Sequence, residues 1–145
     1  MDKTQVYSGV LRIEDENVVI EGAQKSVLAE PGIGVWIMLY GCSVTAHTRR
    51  GFIERVEIDQ ADCMYREVGP VELVRGTLVV ETGAPGSKLA GSRTNYFDSD
   101  GDRYGVIGGH IPDEGREVTV RVRKLLANMA YAARATERDI WFEED

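Results

Sequence analysis

Apolar and polar positions alternate along much of this chain, and turn residues break the alternation at short intervals. Residues 5–13 alternate and predict a strand, 14–17 form a polar turn, and 17–21 return as the second strand of a hairpin. Glu30-Pro31-Gly32 is turn punctuation. Residues 35–40 form a nearly continuous apolar run, which predicts a strand buried on both faces, with Gly41 as a bulge. Residues 42–48 and 52–58 predict strands on either side of a turn at Arg49-Arg50-Gly51. After a polar corner at 59–62, residues 63–68 read as a short strand, and 71–82 as one long strand or a tight hairpin at Arg75-Gly76.

Residues 116–123 alternate most clearly. Val118, Val120 and Val122 are predicted to face a core, with Glu117, Thr119, Arg121 and Arg123 facing solvent. Arg116, Arg121, Arg123 and Lys124 then form a basic row on a solvated strand face. The period changes at Lys124. Residues 124–135 are rich in Ala, Leu and Met without Gly or Pro, and predict one C-terminal helix that buries Leu125, Leu126 and Met129. Residues 140–142 predict a last strand or an extended tail. The sum is a mainly β fold: a single β-rich domain over 1–145, built as an antiparallel β-sandwich or partly open barrel with one helix at about 124–135.

Composition agrees with a folded core. The chain is 43% hydrophobic and 28% charged, a globular balance rather than a disordered one. The longest apolar run is too short to span a bilayer, and the first residues carry no basic-then-apolar signal, so a cytoplasmic protein is expected. Cys42 and Cys63 lie in no CxxC pair, which predicts reduced thiols and no metal site. The formal net charge of −7 opposes general affinity for nucleic-acid backbone. The acid is unevenly spread, with thirteen acidic and eight basic side chains in residues 1–82 against eleven and nine in 83–145.

The densest polar chemistry runs from Gly83 to His110, which holds seven of the sixteen glycines and one of the two histidines. Glycine permits sharp turns and close approach to a ligand, and loops on a rigid scaffold carry binding residues. Two motif resemblances fail at named positions. Asp98, Asp100 and Asp102 match the first ligands of a calcium loop, but Arg103 stands where that loop needs Gly. Gly86-Ser87-Lys88 has the wrong order for a phosphate loop, although a non-catalytic anion nest stays open. Asn95–Ile107 instead reads as a hairpin with its tip at Ser99–Asp102, bringing Tyr96 and Tyr104 near each other beside Arg103.

These features predict a non-enzymatic, sequestering module that holds a small polar ligand, with a nucleotide-like one as a candidate. Lys88, Arg93, Asn95, Tyr96, Asp102, Arg103, Tyr104 and His110 are its candidate ligand-binding residues, with no catalytic residue, metal or cofactor expected. The alternatives are a protein–protein module, such as an immunity protein, inhibitor or particle component, and a small hydrolase using Asp98, Asp100 or Asp102 with His110. A homo-oligomer is expected from edge strands and from Trp141 and Phe142, read as exposed apolar residues. A viral or bacterial accessory protein fits this type.

Overall fold

The computed structural model describes residues 4–88, 90–128 and 138–143. Among the described residues, ten strands form one sheet: β1 (Thr4–Glu14), β2 (Asn17–Glu21), β3 (Lys25–Val27), β4 (Ser43–Arg49), β5 (Phe52–Ile58), β6 (Tyr65–Thr82), β7 (Arg93–Ser99), β8 (Asp102–Gly109), β9 (Glu117–Ala127) and β10 (Arg138–Phe142). The order is β3-β2-β1-β4-β5-β6-β7-β8-β10-β9, and β9 also pairs with β6. The last five strands therefore close a ring, β6-β7-β8-β10-β9-β6. Every ladder is antiparallel except β8–β10.

Three two-residue turns set the hairpin registers. Asp15-Glu16, Arg50-Gly51 and Asp100-Gly101 all have positive φ at both positions, between 51° and 83°. That geometry matches the right-handed twist of the flanking strands. Residues 71–82 do not turn at Arg75-Gly76, because β6 runs straight through both.

Two cores fill the molecule. The first gathers Leu11, Val18, Ile20, Val44, Val56 and neighbours from β1, β2, β4 and β5. The second lies inside the ring and holds Leu78, Phe97, Tyr104, Val122, Ile140 and Phe142. Phe97 and Phe142 meet edge to face with centroids 5.3 Å apart. β6 and β9 serve both cores. Tyr65 and Val68 of β6, with Leu125 and Ala127 of β9, face the first. Leu78 and Val122 face the second. On β9 the inward positions thus change from even to odd numbers beyond Val122, so opposite faces of one strand are buried in turn. On β6 the change follows a register shift between Val68 and Val71.

This arrangement corrects three expectations. Lys124–Ala127 continues β9 as strand, because Leu125 and Ala127 alternate into the first core; the rest of the expected helix, 129–135, lies outside the described residues. Residues 35–40 are not a strand: Gly34–Leu39 is a 3₁₀ helix that buries Val35, Trp36 and Leu39, with positive-φ Gly34 and Gly41 turning the backbone at its ends. Phe142 is buried in the ring and Trp141 is half-buried, so neither supplies the exposed apolar surface read from the sequence. No helix among the described residues is long and apolar enough to cross a membrane.

Gly108 and Gly109 hold the parallel β8–β10 ladder together. A Cβ on Gly109 would lie 2.0 Å from the Phe142 carbonyl oxygen, and its φ of 96° disfavours any other residue. Gly109→Ala is expected to lower stability by about 2–4 kcal/mol. Gly86→Ala, with open space around it, should cost only about 1 kcal/mol for its positive φ. Urea unfolding of the two variants checks the contrast.

Candidate functional site

The sheet must part where β5 and β6 separate, since they pair only at Val56↔Val68 and Glu57↔Glu67. Beyond that point Gly69 and Pro70 shift the register of β6, and backbone carbonyls lose their ladder partners. Arg123 of β9 fills the gap. Its Nη1 donates to the carbonyls of Glu54 at 2.9 Å and Gly69 at 3.0 Å, and its Nη2 to Ile53 at 3.0 Å. Its Nε donates to Glu143 at 3.0 Å. The guanidinium also stacks 4.8 Å from the Trp36 ring centroid. The residue expected on a solvated face is thus only 6% exposed. Burial pulls its pKa down, opposed by Glu143 and Glu30, but a guanidinium remains charged.

A cleft of 460 Å³ opens beside this junction, between the 3₁₀ helix and the outer face of the ring. In register, Trp141 of β10 stands between Arg123 of β9 and Gly108 of β8. Its ring lies directly over Gly108, where a Cβ would be 2.6 Å away. Trp141, Trp36, His110, Glu30 and Glu143 all line the cleft. Glu30 accepts a hydrogen bond from the Ile53 amide at 2.5 Å. Burial nevertheless pushes its carboxyl above the ordinary value of 4.5, against the lowering effects of the Ile53 amide, Arg123 and Trp36.

The residues singled out from the sequence do not converge on one place. The β7–β8 hairpin pairs from Ser99↔Asp102 to Tyr96↔Gly105. Beyond that, β7 continues along β6 and β8 along β10. Tyr104 lies opposite Phe97 and is buried inside the ring, so it is on the other face from Tyr96. Arg103 stacks on Tyr96 at 4.9 Å, grips Asp98 through Nε and Nη2 at 2.7 and 2.9 Å, and reaches Glu81 at 2.6 Å. That bidentate bond holds the Asp98 carboxyl below its ordinary range. Asp98 is therefore engaged by a cation already present in the chain, and no three His, Cys, Asp or Glu side chains converge as a metal site among the described residues. Asp102 is exposed at the hairpin tip, about 25 Å along β8 from His110.

Asn95 is half-buried on β7, and Arg93 is exposed at its start, 3.9 Å from Glu114. Lys88 is exposed in the glycine-rich loop. The Ser87 and Ala90 amides there bond to the Ala84 and Ser87 carbonyls, and the Gly83 amide to Ser92. These amides are turned into the loop's own turns, which opposes an anion nest built from them. Of the candidates, only His110 lines the cleft, joined there by its neighbour Gly109. Glu30, Trp36, Trp141 and Glu143 were not singled out for binding. Trp36 sits inside an apolar run and Trp141 between Ile140 and Phe142, so the local sequence marked neither as a binding residue.

Cys42 and Cys63 are free thiols. Burial, then a hydrogen bond with the Cys63 thiol, pushes Cys42 up to about 12. Alkylation of the native protein at pH 8 should accordingly be slow at Cys42 and accelerate on unfolding.

Two further outcomes follow for the junction. Arg123→Ala leaves three carbonyls and Glu143 without their donor and should lower stability by about 3–5 kcal/mol in urea unfolding. For Glu30 the sign is opposite to that of a paired carboxylate. Its folded-state pKa is raised, so its charge opposes folding above that pKa, and the penalty vanishes once both states are protonated. Glu30→Gln should melt higher than the parent at pH 7, and the difference should disappear as pH falls below 4.5.

No family model, curated protein or solved structure matches the chain, so the cleft's own chemistry carries the functional reading.

Proposed function

We propose that this protein is a non-catalytic binding module that holds a small polar ligand in the cleft between the 3₁₀ helix and the ring. The observation that carries this reading is the cleft itself: 460 Å³, walled by two tryptophans, with carboxylates and an imidazole at its lining. Its volume falls within the range of small-molecule sites, which combine apolar walls with a few placed polar groups. Binding is favoured over catalysis because no Ser, Thr, Cys or Lys nucleophile lines the cleft among the described residues. Glu30 holds the Ile53 amide and Glu143 holds Arg123.

A second reading keeps the ligand on the outer face of β7 and β8, around Tyr96 and Arg103. It is favoured by the connectivity of the ring. Counting β6 to β10 as first to fifth, the order is first-second-third-fifth-fourth, with third and fifth parallel. This resembles the oligonucleotide- and oligosaccharide-binding barrels, which use the face of their second and third strands and the loop between first and second. Here that loop is the glycine-rich segment. The support is an analogy of fold, and the local charge weakens it for phosphate ligands, since Glu81 and Asp98 already neutralise Arg103.

The chain's only tryptophans both line the cleft, so intrinsic fluorescence reports on it selectively. Titration with a panel of small polar ligands should give a saturable change that Trp141→Ala weakens at least tenfold and Tyr96→Ala leaves unaltered. The reverse dependence would move the site to the β7–β8 face.

A further inference from the structure

We infer that the cleft selects a small organic cation, an ammonium or guanidinium group on a short hydrocarbon body, over phosphate-bearing or neutral ligands. This rests on the reading of the cleft as the binding site and adds the class of ligand.

Among the described residues, the lining carries two carboxylates, Glu30 and Glu143, and no lysine or arginine. The guanidinium next to it, Arg123, directs Nε and both terminal nitrogens at Glu143 and the carbonyls of Ile53, Glu54 and Gly69. An anion entering the cleft would meet two carboxylates, while Arg123 is already engaged by its own partners. A desolvated phosphate without a paired charge is strongly disfavoured.

The walls suit a cation for a second reason. Indole is the best of the aromatic faces for a cation, and the stack of Arg123 on Trp36 at 4.8 Å already displays that pairing within the site. Trp141 is half-buried over Gly108 and lines the same cleft, so it is the indole that meets a ligand, Trp36 being buried beneath Arg123. A ligand ammonium or guanidinium lying against Trp141 and reaching Glu30 or Glu143 would repeat the chemistry that Arg123 shows one layer deeper. The net charge of −7 adds a long-range field that draws cations in.

The test is calorimetry and tryptophan fluorescence with agmatine and tetramethylammonium as cations, glucose as a neutral ligand and AMP as an anion. Agmatine or tetramethylammonium should saturate the signal, and affinity should fall about tenfold in Glu30→Gln or Glu143→Gln. Both glutamines keep an acceptor for the Ile53 amide or Arg123 Nε, and near-ultraviolet dichroism verifies the fold of each. Raising salt from low to high ionic strength should weaken the binding. Cation binding indifferent to both substitutions would overturn the inference. Saturable glucose or AMP binding lost in Trp141→Ala, without cation binding, would overturn the charge class and leave the cleft as the site. Silence across the whole panel would overturn both.

Discussion

The Arg123 guanidinium binds three backbone carbonyls, one carboxylate and one indole ring that come from four separate stretches of chain. Ile53 and Glu54 belong to β5, Gly69 to β6, Trp36 to the 3₁₀ helix and Glu143 to the segment after β10. A planar fork with several donors can satisfy divergent carbonyls at once, which a lysine ammonium on a flexible stem does less well. The two cores can thus share β6 and β9 without leaving the split between β5 and β6 unsatisfied. No buried side-chain nitrogen or oxygen lacks a hydrogen-bond partner among the described residues.

The same junction creates the cleft. With Arg123 pulled inward on β9, Trp141 stands beside it in register on β10, and Gly108 leaves room for the indole on β8. The 3₁₀ helix brings Trp36 onto the guanidinium from the other side. The cleft is therefore a by-product of how the two halves are joined, and its acidity comes from residues that also brace that joint. Glu30 ties the segment before the 3₁₀ helix to β5, while Glu143 anchors the chain beyond β10 to Arg123.

Much of the strand pattern was legible because it is local. Arg50-Gly51 and Asp100-Gly101 announce tight turns, and the alternation at Val118, Val120 and Val122 marks the wall of the ring. What was not legible depends on two cores. The Leu125-Leu126 doublet looks helical in isolation, yet it lies where β9 passes from one core to the other. Arg123 looks solvated for the same reason, since alternation assumes that only one face of a strand is buried. The run from Val35 to Tyr40 concealed its spacing. Val35, Trp36 and Leu39 are the buried positions of a helical turn, but apolar Ile37, Met38 and Tyr40 fill the exposed ones. His110, singled out for its glycine-rich setting, lines the cleft. The carboxylates and tryptophans around it come from the far ends of the chain and converge only in three dimensions.

The position of β10 between β8 and β9 has a consequence for how the chain reaches this state. β8 and β9 are consecutive, joined by a short connection at 110–116, and hairpin pairing would be the fastest way to satisfy their facing edges. The native ring requires instead that β10, the last strand, enter between them with a parallel ladder on one side and an antiparallel ladder on the other. A β8–β9 hairpin formed first would have to separate before the ring could close. Ring closure thus depends on pairings of the last strand that are made late in the chain, the non-local kind of contact that costs most loop entropy to form.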